Sequence, residues 1–85
     1  MAKRDRLLYV EWDDASSHDN TWAQRGMYES HNEPDGCQSV GWLIAENDKA
    51  ITLCASRSTQ NNQLCGDMII PKSAIRKRRI LRYKQ

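Results

Sequence analysis

The 85-residue sequence has no phenylalanine, only two prolines and four glycines, and no long apolar run. Without such a run we expect no membrane-spanning helix, no membrane partner and no secretory signal. The glycines are isolated, at Gly26, Gly36, Gly41 and Gly66, which excludes a glycine-rich phosphate loop. These absences point away from membrane proteins and from enzymes that hold nucleotides in such a loop.

Cysteine is scarce and occurs as Cys37, Cys54 and Cys65, with no Cys-x-x-Cys pair. An odd number of cysteines without a secretory signal predicts free thiols in a reducing cytoplasm. His18 and His31 lie near Cys37, but their spacing matches no zinc signature, so we expect no bound metal. Cys54 and Cys65 fall on consecutive predicted strands and could face each other as two small buried residues.

No catalytic set can be assembled from the sequence. A cysteine nucleophile needs a base within reach, and nothing in the sequence places either histidine beside a thiol. The adjacent Asp13 and Asp14 resemble the polar end of a strand more than a carboxylate pair held in a pocket. We therefore predict a non-enzymatic protein with no catalytic residues and no cofactor.

The length predicts one domain over residues 1–85 with a small core, because so short a chain buries only about 60–65% of its unfolded surface. Trp12, Trp22 and Trp42 supply much of the apolar area, and Trp42 is predicted to lie in the core. A core this small also makes a homo-oligomer a possible state.

A first strand is predicted over residues 7–12, ended by the two aspartates. Residues 13–36 form a long polar loop that ends in a turn signal, with a short irregular hairpin as an alternative. Trp22, Met27 and Tyr28 are interpreted as anchors that pin this loop to the body. For Trp12 and Trp22, lining a groove that stacks bases is the alternative.

Four further strands are predicted, over residues 37–46, 50–55, 64–70 and 75–83. The second and third form the clearest hairpin, and residues 71–74 suit one turn of 3₁₀ helix. For residues 75–83 a basic helix is the alternative to a strand.

This order of elements resembles the SH3-like small β-barrel over about residues 6–82, and the segment 66–75 is its closest local likeness. The resemblance implies a mostly β, five-stranded barrel with a long loop after the first strand and a 3₁₀ turn before the last. Leu43 and Ala74 stand where proline-peptide-binding members have aromatic residues, so a proline-rich ligand is not expected. The related Sm-like barrel, which forms rings, is an alternative.

Three short stretches also resemble small bacteriophage-encoded proteins of unassigned function: residues 10–12, 40–43 and 70–72. The resemblance implies an accessory role in the host cell cytoplasm, such as blocking a host defence system. It implies no catalytic residue.

The net charge of +2 conceals two regions of opposite sign. Residues 11–48 contain one base, Arg25, and nine acids: Glu11, Asp13, Asp14, Asp19, Glu29, Glu33, Asp35, Glu46 and Asp48. Residues 71–85 contain no acid and seven bases: Lys72, Arg76, Lys77, Arg78, Arg79, Arg82 and Lys84.

The basic C-terminal segment predicts binding of an anionic partner, either a nucleic acid or a nucleotide. The predicted ligand-binding residues are Lys72, Arg76, Arg78, Arg79, Arg82 and Tyr83, with the tyrosine stacking on a base. Two simpler interpretations remain open: a solvated edge strand whose charges oppose aggregation, and pairing with the chain's own acidic loop.

The alternative function is that of a protein-binding adaptor, or an inhibitor of a host protein, acting through the acidic loop. Its predicted contact residues are Trp22, Asp13, Asp14 and Asp19, with the tryptophan filling a pocket of the partner.

Overall fold

A computed structural model describes residues 5–17 and 21–83. The elements are β1 (Arg6–Asp14), α1 (Arg25–Ser30), β2 (Asp35–Glu46), β3 (Ala50–Arg57), β4 (Leu64–Pro71), a 3₁₀ turn (Lys72–Ala74) and β5 (Ile75–Leu81). The five strands form one antiparallel sheet in the order β4-β3-β2-β1-β5. The mostly β prediction is confirmed, and across the described residues the sheet stays open, with β4 and β5 at its edges.

The β2–β3 hairpin is built around Asn47. Its side-chain oxygen accepts the backbone N–H of Lys49 at 2.8 Å and that of Ala50 at 2.9 Å. Its own backbone N–H donates to the carbonyl of Ala50 at 3.1 Å. Asparagine favours such turns because its side chain replaces a backbone acceptor, and the predicted hairpin is confirmed.

The 3₁₀ turn joins the two edges of the sheet. Because β4 and β5 lie at opposite edges and only three residues separate them, the sheet must curl to bring those edges together. The backbone N–H of Lys72 donates to the carbonyl of Lys49 at 2.8 Å, which fixes the turn against the β2–β3 hairpin. The last segment is a strand, as favoured, and a bulge in the β1–β5 pairing falls between Glu11 and Trp12.

The core lies on the inner face of the curled sheet. Its central cluster consists of five buried side chains: Leu8, Val10, Ile51, Leu53 and Ile70. Trp12, Leu43 and Ile75 are partly buried and pack against this cluster. Trp42 is only half-buried and lies outside this cluster. Its neighbours along β2, Gly41 and Leu43, face the core, and because side chains alternate along a strand, Trp42 points to the opposite face. The prediction of Trp42 as a core residue was therefore wrong.

The predicted pairing of Cys54 with Cys65 was also wrong. Cys54 is buried, whereas Cys65 is exposed. The register of β3 with β4 sets Cys54 opposite Asp67 and Cys65 opposite Ser56, so the two thiols are not cross-strand partners.

β1 and β2 extend further than predicted and form a projecting arm. Asp13 and Asp14 continue β1, opposite Gly36 and Asp35 of β2, instead of ending it. β3 joins β2 only from Trp42 onward, so the outer part of β2 pairs with β1 alone. The molecule measures 58 × 26 × 23 Å with a radius of gyration of 17.0 Å, against about 12 Å for a compact chain of this length.

The arm carries the connection 15–34, and within its described residues, 15–17 and 21–34, the one helix is α1. No residue of α1 is buried, and Trp22 is fully exposed. The interpretation of Trp22 as an anchor was wrong, because its side chain is fully exposed, whereas Met27 and Tyr28 are 39% and 44% exposed. Over residues 5–17 and 21–83, no helix has the length and apolar character needed to cross a membrane.

Candidate anion-binding face

The face of the sheet opposite the core brings together basic and aromatic side chains from three strands. The register of β5, β1 and β2 aligns them in three rows, which we call the outer face: Lys77–Glu11–Gln38, Arg79–Tyr9–Val40 and Leu81–Leu7–Trp42. Alternation along each strand places these residues on the side away from Leu8 and Val10.

Tyr9 is at the centre of this face. Its hydroxyl donates to a carboxylate oxygen of Glu11 at 2.6 Å and accepts the side-chain amide of Gln38 at 3.0 Å. The hydrogen bond raises the pKa of Tyr9 and lowers the pKa of Glu11. The guanidinium carbon of Arg79 lies 5.9 Å from the centroid of the Tyr9 ring. Tyr9 was not identified from the sequence, although its place on the first strand beside a basic last strand was a usable signal.

Three of the six predicted ligand-binding residues have an acidic partner. The carboxylate of Glu46, at the end of β2, lies 2.8 Å from Lys72 Nζ. It also accepts two hydrogen bonds from the guanidinium of Arg78, at 3.0 and 3.2 Å. The hydrogen bonds from Arg78 and then Lys72 lower the pKa of Glu46 to about 2. Arg76 Nε lies 2.9 Å from a carboxylate oxygen of Asp13. The chain thus neutralises part of its own basic segment, but only the Arg76–Asp13 pair involves the predicted acidic loop, because the other two bases pair with Glu46 outside it.

Lys77, Arg79 and Arg82 differ from those three. All are exposed, and none forms an ion pair at contact distance with an acid in the described parts of the chain. Glu11 lies opposite Lys77 in the register, and the charges of Lys77 and Arg79 contribute to lowering its pKa. Arg82 lies beside Tyr83 along a groove of about 360 Å³, whose lining also includes Arg6 and Asp5. The chain therefore carries positive charge next to an open groove at the end of β5.

Tyr83 belongs to an aromatic cluster that the sequence did not reveal. The guanidinium carbon of Arg57 lies 3.7 Å from the Trp42 ring centroid, and the Tyr83 ring meets Trp42 edge-on at 5.2 Å. Arg57 also pairs with Asp5 at 3.2 Å and donates to the Tyr83 hydroxyl at 3.4 Å. One face of Trp42 is therefore covered, and the cluster fastens both ends of the described chain to the sheet.

The structure describes only some of the remaining predicted residues. The Asp14 carboxylate accepts the backbone N–H of Ala15 at 2.8 Å, while Asp19 and His18 lie outside the described residues. A ring nitrogen of His31 contacts the carbonyl of Met27 at 2.9 Å. Within residues 5–17 and 21–83, no three His, Cys, Asp or Glu side chains are close enough to hold a metal ion.

Comparisons with protein-family models, curated proteins and solved structures find no match for this chain. The resemblances to SH3-like barrels and to phage-encoded proteins therefore stay predictions.

Proposed function

We propose that this chain is a non-enzymatic binding protein that takes a single-stranded nucleic acid on the outer face of β5 and β1. The proposal is carried by one observation: some bases of the C-terminal segment are held in ion pairs and others are not. Lys72, Arg76 and Arg78 are held in ion pairs, whereas Lys77 and Arg79 are exposed without an ion-pair partner in the described residues. Charges without such a partner are the ones able to bind phosphates.

Each predicted residue has its own role in the proposed binding. Arg79 and Arg82 contact phosphates, assisted by Lys77, while Tyr9 and Tyr83 provide aromatic surface beside them. The shallow groove and the spread of charge suit an extended strand, because nonspecific binders of single strands combine a basic track with aromatic side chains. Lys72, Arg76 and Arg78 act by holding the sheet in shape.

The biological role we propose is an accessory or counter-defence function of the kind carried by small phage-encoded proteins. The proposed fold is an open SH3-like barrel, and the curled sheet with its 3₁₀ turn before β5 supports this. A binding protein of this class needs no catalytic set and no cofactor.

The test is charge reversal at Arg79 and Arg82 together, with binding of a fluorescent single-stranded oligonucleotide as the measurement. The matched control reverses Arg25 and Lys49, which lie away from the outer face, and takes the net charge from +2 to −2 just as the test variant does. We expect the test variant to lose binding and the control to retain most of it. Equal loss in both variants, or no loss in either, contradicts the proposal.

Salt dependence provides an independent measurement. Each lost phosphate contact should reduce the slope of log K against log salt concentration by about 0.7 for a single strand. Removing Arg79 alone should therefore flatten the slope by roughly that amount. If mononucleotides bind as tightly as longer oligonucleotides do, the ligand is a nucleotide and not a nucleic acid.

A protein-binding function is the second candidate, and the exposure of Trp22 favours it. A fully exposed tryptophan on a segment that also exposes Met27 and Tyr28 is typical of a site that a partner covers. Trp22→Ala should abolish capture of a stoichiometric host protein, whereas Gln24→Ala on the same segment should not. Unchanged capture by the Trp22 variant would contradict this function.

A further inference from the structure

The two edges of the sheet differ in chemistry. β5 carries four consecutive bases, Arg76 to Arg79, of the kind that oppose pairing with another strand. β4 contains one charged residue, Asp67, within an otherwise apolar and small sequence. It exposes Leu64, Met68 and Ile69, and Ile69 is 65% exposed.

The outward side of β4, which we call the β4 edge, offers backbone groups to a further strand. β4 pairs with β3 on one side only, so half of its backbone N–H and C=O groups point away from the sheet. Gly66 has φ +73° and interrupts the ladder opposite Ala55, so the regular part of the strand is Asp67 to Ile70. A regular, apolar, unpaired edge is the usual template for strand addition.

The chain exposes more surface than a compact monomer of its mass. Its accessible surface is 7341 Å², whereas a folded monomer of this mass exposes about 5,200 Å². The projecting arm, whose helix α1 has no buried residue, accounts for part of the roughly 2,000 Å² difference, and a standard interface buries roughly 800 Å² on each partner. A second copy covering part of this surface would compensate for the small core formed by the described residues.

We propose that two copies of this chain form a symmetric dimer by antiparallel pairing of their β4 edges. The β5 edge is a poor self-partner because its bases would repel one another, whereas β4 carries a single acid. A twofold axis through the pair sets one residue of β4 opposite itself. Pairing centred on Asp67 would oppose two carboxylates, so the axis lies at Met68 or Ile69. This proposal does not depend on the nucleic-acid function.

The mutational test measures the molar mass of the full chain in solution from micromolar to millimolar concentration. We expect a dimer that Ile69→Lys weakens at least about tenfold. The matched control is Val40→Lys, which places the same charge on β2 at a residue that is 55% exposed. This variant should leave the dimer intact. A monomer throughout this range overturns the proposal, as does a dimer that Ile69→Lys leaves unchanged.

A second measurement covers the case in which Ile69→Lys fails to fold. In a chain whose Cys37 and Cys65 are replaced by serine, cysteine placed at position 68 or 69 should give a dimer crosslinked through the same position in both copies, with Val40→Cys as the uncrosslinked control. Crosslinks at neither position overturn the proposal. A monomer that binds an unrelated extended peptide along β4 also overturns it, and assigns the edge to a foreign strand.

Discussion

The guanidinium of Arg78 on β5 donates two hydrogen bonds to the carboxylate of Glu46 at the end of β2, at 3.0 and 3.2 Å. β1 lies between these two strands in the sheet. Arg78 is the register partner of the buried Val10, and Glu46 that of the buried Ile51, so both side chains start from the inner face. The ion pair thus crosses the rim of the core and, with Lys72, holds the sheet in its curled form.

Acid should weaken this fold through Glu46. Its pKa falls from 4.5 to about 2 on folding, because Arg78 and Lys72 stabilise the carboxylate. A group with a lowered pKa contributes stability above its unfolded pKa and loses it as the pH falls toward the folded value. We expect the melting temperature to drop between about pH 5 and pH 2, and Glu46→Gln to be less stable at neutral pH with a flatter profile. Glu29→Gln on α1 is the control, and identical acid profiles for the wild type and the Glu46 variant would contradict this role.

Gly41 should tolerate no side chain. A Cβ there would lie 3.0 Å from Leu53 Cβ and 3.1 Å from the carbonyl oxygen of Cys54, which is tighter than nearly all packed contacts and requires β3 to shift. We expect Gly41→Ala to lower the free energy of unfolding by about 1–3 kcal/mol in urea titrations. Gly26→Ala is the control, since nothing lies within 4 Å of that position and alanine favours the helix. A Gly41 variant as stable as the wild type would show that β2 and β3 separate more easily here than the structure implies.

The tryptophans should differ in their effect on stability. Trp22→Ala should change the free energy of unfolding by less than about 0.5 kcal/mol, because the side chain is fully exposed. Trp42→Ala should cost about 1–3 kcal/mol, since it removes the stack with Arg57 and the contact with Tyr83. Thermal and urea unfolding measure both. A large loss for the Trp22 variant would mean that this side chain packs on the body after all.

The three thiols should react with disulfide reagents at separate rates. Cys54 is buried, and burial followed by the nearby charge of Asp67 raises its pKa, which disfavours the reactive thiolate. Cys65 on the exposed strand should react first, and Cys54 only when the protein unfolds. Labelling at increasing pH, with the modified peptides identified by mass spectrometry, measures the order. Labelling of Cys54 at the rate of Cys65 in the native protein would contradict the burial.

The strands could be predicted from sequence because their signals are local. Alternating apolar residues and the Asn47 turn specify the β2–β3 hairpin, and Pro71 marks the change from β4 to the 3₁₀ turn. The end of β1 was misplaced because aspartate is a poor strand former. Pairing with β2 and the ion pair of Asp13 with Arg76 override that propensity.

The site could be predicted only in part, because it depends on contacts between distant segments. The sequence identifies a basic C-terminal segment, but not that Glu46, more than thirty positions from Arg78, neutralises part of it. It also gave no sign that Arg57 stacks on Trp42 while Trp22 stays exposed. One tryptophan is covered by a long-range partner and the other is not, and their local sequences do not distinguish them.

The pairing of β1 with β5 has a consequence for how the chain folds during synthesis. Leu7 of β1 pairs with Leu81 of β5. β1 therefore cannot complete its hydrogen bonds until β5 has been synthesised. The β2–β3 hairpin closes a short loop and can form early, but the sheet cannot be finished until β5 has left the ribosome. Such distant contacts slow folding to milliseconds or longer. Until then β1 is an open edge of this sheet, and the basic charge of β5 joins the sheet only when the two strands pair.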